Sequence, residues 1–145
     1  MQCGWTCGLV LVLAVLVAPS VWAAGTATVT TSDVGGGVTK YSIAWTSDAS
    51  GDVSGNAFNV KAGRLLVLHI MPNTGATQPT DLYDMTLDDA DAVDLVDALG
   101  ANLSNSTGKI YQWSPALYFD GTDQIDLVIS NAGNAKTGVI ELLVQ

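Results

Sequence analysis

Seven of the chain's aspartates fall in one short stretch: Asp81, Asp84, Asp88, Asp89, Asp91, Asp94 and Asp97. Carboxylates grouped around a turn are the hard oxygen donors that Ca²⁺ selects, and Asp88, Asp89, Asp91 and Asp94 are the candidate ligands. Their spacing departs from the EF-hand loop, because Asp89-x-Asp91 is followed by Val93 and Asp94, with no loop glycine or distal glutamate. Strand alternation also turns Asp84 and Asp88 outward, where a solvated acidic edge discourages sheet-to-sheet aggregation. That solvated edge is the expected reading, and it needs no cofactor. A glycosidase would need two carboxyls facing each other about 5–9 Å apart across a groove, which acids crowded on one hairpin do not offer.

A second constellation is aromatic. Tyr111, Trp113, Tyr118 and Phe119 lie in one segment, and Tyr111, Trp113 and Tyr118 are candidate binding residues, a stacking platform for sugar rings. The competing reading is core or interface packing. His69 is the only histidine and shares a strand face with Leu65, Val67 and Met71. Enzyme use would require a nucleophile and an orienting acid that the sequence does not mark, and there is no Gly-x-Ser-x-Gly elbow. No catalytic residue is assigned, and the chain is expected not to be an enzyme. Asn102-Leu-Ser104 and Asn105-Ser-Thr107 are glycosylation sequons, meaningful only in a eukaryotic secretory pathway.

The elements that must position these residues are strands. Turn signals recur about every eight to fifteen residues along the body, the rhythm of a β-sandwich or barrel. Thr26–Ser32 is β-branched and alternating, and Thr39–Ser47 sets Tyr41, Ile43 and Trp45 on one face. Val53–Val60 reads as a weaker strand. Arg64–Met71 is nearly all apolar, which predicts a central strand buried on both faces. Leu82–Asp88 turns Tyr83, Met85 and Leu87 inward. Val93–Leu99 fits either a short helical turn or a strand. Ile110–Phe119 is broken by Pro115, which suits an edge strand or a bulge. Gln124–Ser130 and Val139–Val144 read as a closing hairpin around Asn131–Asn134. The expected fold is all-β, a single antiparallel β-sandwich of about eight strands with little helix, jelly-roll-like or immunoglobulin-like.

Composition narrows the function classes. The net charge of −9, from 14 acids against five bases, argues against a nucleic-acid surface and against anionic membranes. Residues 1–32 carry no charged side chain, and within them runs the apolar stretch Leu9–Ala18. Pro19 and then Val21-Trp22-Ala23 follow, the small-x-small pattern of a secretory cleavage site. The expectation is a signal-peptide-like leader over 1–23 and one domain over 24–145, exported to a periplasmic or extracellular compartment and without membrane contact once the leader is removed. The alternative is a retained anchor, since residues 4–24 together reach the length of a span. Cys3 and Cys7 both belong to the leader, so the body has no disulfide, zinc site or cysteine nucleophile.

From Ala27 onward the chain resembles a group of small structural proteins of tailed bacteriophages and prophages. The stretches that carry the resemblance are ATVTTS, KYSIAWTSDASGDVSGNAF, QPTDLYDMTLDDADAVDLVDALGANLSNS and ISNAGNAKTGVIELLV. The resemblance implies a virion-associated β-domain without catalysis, acting through protein partners in a homo-oligomer or virion assembly. Ala92 departs from the pattern, standing after Asp91 where a glycine is expected. The leader departs from it too, because virion proteins assemble in the cytoplasm. The alternative function is an exported binding module for a glycan or surface partner, using Tyr111, Trp113 and the adjacent loops.

Overall fold

The computed structural model describes residues 23–122 and 124–145. The expected leader and its two cysteines lie outside the described residues, except for Ala23 at the proposed cut. Eight strands are present among the described residues: β1 (Thr26–Gly35), β2 (Val38–Thr46), β3 (Phe58–Asn59), β4 (Gly63–Pro72), β5 (Asp84–Asp88), β6 (Lys109–Phe119), β7 (Gln124–Ser130) and β8 (Thr137–Val144). They form a five-stranded sheet in the order β1-β2-β8-β4-β6 and a three-stranded sheet in the order β3-β7-β5. Every strand pairing is antiparallel. Two short 3₁₀ turns, Gly75–Thr77 and Asp97–Gly100, are the helical elements among the described residues. No helix among these residues is long and apolar enough to cross a membrane.

Alternation explains the core. Tyr41, Ile43 and Trp45 of β2 and Ile140, Leu142 and Val144 of β8 point inward, and all are buried. Ile125, Leu127 and Ile129 of β7, with Met85 and Leu87 of β5, face them from the other sheet. Each such aliphatic side chain contributes about 1.5–3 kcal/mol by leaving water. Gly138 lies opposite Trp45 in the ladder, and a Cβ there would fall 2.6 Å from the indole ring. Only a glycine leaves room for that ring.

From β2 onward successive strands alternate between the two sheets. The order β2-β8-β4-β6 facing β3-β7-β5 is that of a jelly roll rather than an immunoglobulin sandwich, with β1 added outside β2. The bridge Asp88↔Asp94 continues the smaller sheet beyond β5.

Three expectations change. β7 and β8 are not a hairpin: they belong to different sheets, and 131–136 is an arch between them. Ala132 at its centre is fully buried, donating its N–H to Gly51 O and accepting from Thr80 N, so the turn residues serve a crossover. β4 is central but not buried on both faces. Leu65, Leu68 and Ile70 are buried, whereas Leu66, Val67, His69 and Met71 are half-buried on a face that no further layer covers among the described residues. Leu66 is an extra residue in the ladder to β8, and this bulge reconciles a continuous apolar run with one-sided burial. Val53–Val60 is not a continuous strand. It contributes the buried Val53, which bridges Ile129, then the two residues of β3, then the buried Val60.

Candidate functional site

The acidic cluster is built into its own loops. Asp89 Oδ1 accepts hydrogen bonds from the N–H groups of Asp91 and Val93, each at 2.9 Å, which closes the turn the sequence predicts there. Asp94 Oδ1 accepts from Val96 N at 3.1 Å and Leu87 N at 3.2 Å. Burial pushes the Asp94 carboxyl above the ordinary carboxylate range. The N–H groups of Val96 and Leu87 oppose that shift, and the neighbouring charges of Asp88 and Asp97 add to it. Asp84 Oδ1 accepts from Asn102 N, and Asp81 Oδ1 from Asn105 N, tying the loop before β6 to the three-stranded sheet. Among the described residues no three ligand-type side chains converge on one point. The calcium candidates Asp88, Asp89, Asp91 and Asp94 are therefore neighbours in sequence, and the carboxylates of Asp89 and Asp94 are engaged by backbone donors.

β6 separates the aromatic candidates. Tyr111 and Trp113 share its inner face, as alternation requires, with ring centroids 6.4 Å apart in an edge-to-face arrangement. Both are half-buried against the core, and the Tyr111 hydroxyl donates to Leu99 O at 2.7 Å. Tyr118 stands apart, 71% exposed and opposite Arg64 in the ladder. The register jumps between Leu65↔Leu117 and Val67↔Gln112, so the strand bulges over the segment that contains Pro115. β6 is also a sheet edge, so both readings of that proline hold at once.

His69 lies in a polar row that crosses the outer face of the five-stranded sheet. Its Nδ1 is 3.8 Å from Glu141 Oε2, and Lys40 Nζ is 3.0 Å from Glu141 Oε1. The register runs Ser42, Glu141, His69 across β2, β8 and β4. The carboxylate therefore sits between hydroxyl and imidazole, whereas nucleophile activation needs the imidazole in the middle. The Lys40–Glu141 pair escapes sequence reasoning because its signal, two outward residues of opposite charge, has meaning only once β2 and β8 are known to be neighbours.

Apolar side chains flank this row on β4, β8 and the start of β6. Val67, Met71, Val139 and Leu143 are half-buried, and Ile110 is 63% exposed. A groove of about 650 Å³ opens along Met71, Val139, Ala44 and Glu141, above Trp45 and Gly138. Comparison with family profiles, with curated proteins and with solved structures gave no match to the chain, so its function must be argued from these surfaces.

Proposed function

We propose that the chain is a non-enzymatic structural or assembly protein of the bacteriophage type, working through protein–protein contacts. The observation that carries this reading is the outer face of the five-stranded sheet. There Val67, Met71, Val139, Leu143 and Ile110 surround a single ion-paired row without a covering layer among the described residues. A sheet face in water ordinarily alternates to polar residues, and an apolar patch within one marks a contact surface. The phage-like stretches from Ala27 onward support the same reading. It is tested by light scattering over a wide concentration range, together with co-sedimentation with particles from a lysate of the expressing cell. Oligomers or particle association are expected. A chain that stays monomeric and never travels with particles overturns the reading.

A second reading is favoured by the Tyr111–Trp113 pair, two partly accessible rings in edge-to-face contact on the edge strand β6. They suit a glycan-binding module exported by the leader. Glycan binding abolished by Trp113→Ala would establish it, and no binding to any polysaccharide would remove it. A calcium role for Asp88, Asp89, Asp91 and Asp94 predicts a melting temperature that rises in millimolar Ca²⁺ and falls in EDTA.

A further inference from the structure

A sandwich of two open sheets has four edges, and three of them here are blunted. Beyond β5 the chain bridges Asp88↔Asp94, and Leu95 N donates to Leu87 O at 2.8 Å, so that edge is covered. β3 is two residues long, and the approach to it is held by Asp126, whose carboxylate accepts from Gly55 N and Asn56 N. β6 is interrupted by its bulge. β1 is different. Over Thr26–Asp33 it keeps an unbroken register with β2, and among the described residues it pairs with nothing else. Its one irregularity comes at Asp33/Gly35, close to the turn into β2.

Edge strands are normally protected by charge, proline, a bulge, shortness or a cover. Among the described residues Thr26–Ser32 has none of these devices, and its Thr and Val residues favour extended structure. We propose that this edge is a self-association surface, at which two copies pair β1 to β1 antiparallel and join their five-stranded sheets into one continuous sheet. The inference takes from the assembly reading only that the chain acts by protein contact.

Symmetry points to a second copy as the occupant, and charge permits it at this edge. Each chain carries −9, which opposes self-association through most of its surface. No Lys or Arg lies between Arg64 and Lys109, where the acidic cluster and β5 sit, and none lies on β7 or β3. The β1 edge is uncharged from its start to Ser32, so two copies meeting there keep their acidic sheets apart. The segment is also nearly symmetric about Val29. In an antiparallel pair centred on that residue, Thr28 faces Thr30 and Thr26 faces Ser32, all on the outer face, while Val29 meets its own copy on the inner face. Hydroxyl-to-hydroxyl cross-strand pairs of this kind are favourable.

The test is sedimentation equilibrium on the full chain and on two double variants, Thr28→Lys with Thr30→Lys and Thr28→Glu with Thr30→Glu. The wild type is expected to dimerise. Either variant sets like charges opposite each other and should weaken the dimer by roughly tenfold or more. Circular dichroism should show both variants folded. Mixing the two should restore association as a heterodimer, resolved by native mass spectrometry, which a folding defect would not do. Ile110→Lys on the opposite edge strand should leave the dimer intact. A dimer that survives both double variants, or that fails with Ile110→Lys instead, overturns β1 pairing while sparing the assembly reading. So does a monomer that travels with particles. A monomer that never does so overturns both.

Discussion

The two sheets bury facing apolar rows, yet different groups hold their margins. In the five-stranded sheet β1, β2, β8 and β4 are joined by long ladders, and the side-chain ties on its outer face are few, chiefly Lys40 to Glu141. In the smaller sheet the ladders are short, and carboxylates take over: Asp84 holds Asn102, Asp94 holds Leu87 and Val96, and Asp126 holds Gly55 and Asn56. The acids that suggest chemistry in the sequence brace a minimal sheet, whereas the quieter Thr- and Val-rich sheet keeps its face and one edge open among the described residues.

The contact between the sheets is the place to break this contrast most severely. Trp45 of the larger sheet packs on Tyr83, which leads into β5, with ring centroids 5.9 Å apart and planes tilted by 43°. Trp45→Ala should cost about 3–5 kcal/mol in chemical denaturation, because the cavity opens against both sheets at once. Tyr83→Phe should do the reverse. The Tyr83 hydroxyl is buried with no hydrogen-bond partner among the described residues, so its removal should gain about 1 kcal/mol. Burial pushes the Tyr83 phenol up to about 12 from its ordinary value of 10.0. The folded value lies above the unfolded one, so the corresponding stability is complete below pH 10 and fades as pH climbs through about 12. Tyr83→Phe should abolish that alkaline loss in a pH series of melts.

Two smaller changes probe the acidic braces. Ala92 has φ of +60°, the left-handed region that disfavours a Cβ, in the turn closed by Asp89. Ala92→Gly should raise stability by about 0.5–1 kcal/mol in urea titrations. Asp94→Asn keeps an oxygen for the Leu87 and Val96 N–H groups while removing a charge that burial disfavours. Because the folded carboxyl titrates above its unfolded value of 3.8, ionisation costs stability as pH rises through the raised value. The variant should therefore melt slightly higher than wild type at neutral pH and equally below pH 3.8. Asp48, in the loop after β2, has the opposite sign. The N–H of Asp52, and then those of Ser50 and Gly51, hold its carboxyl below the ordinary value despite some desolvation, so its contribution is lost on acidification.

What the sequence made legible was local. Alternation placed Tyr41, Ile43 and Trp45 on one side and Met85 and Leu87 on another; Pro115 marked the broken edge, and a glycine was expected where Ala92 adopts positive φ. Partner choice between strands was hidden. Asn131–Asn134 has the composition of a hairpin turn. Whether it folds back or crosses to the other sheet is decided by Ala132 bonding to Gly51 and Thr80, residues far upstream. The run Arg64–Met71 hid its bulge for a related reason: a register shift is a property of two strands, and one strand's composition cannot state it. The candidate site was legible as residue types only. Tyr111 and Trp113 meet because they are two apart on a strand, and Tyr118, an odd step further on, falls on the opposite face; what one strand's composition hides is the bulge between Gln112 and Leu117.

The placement of β8 between β2 and β4 has a consequence for biogenesis. During synthesis β2 and β4 emerge well before the strand that bridges them, and neither pairs with the other in the finished sheet. Until residues up to Val144 leave the ribosome, the nascent chain holds β-prone segments whose edges have no lasting partner. Most of its contacts are remote in sequence, the topology that folds slowly and aggregates when crowded. Expression yield should then depend strongly on temperature and on chaperone supply, with the chain least protected just before β8 emerges.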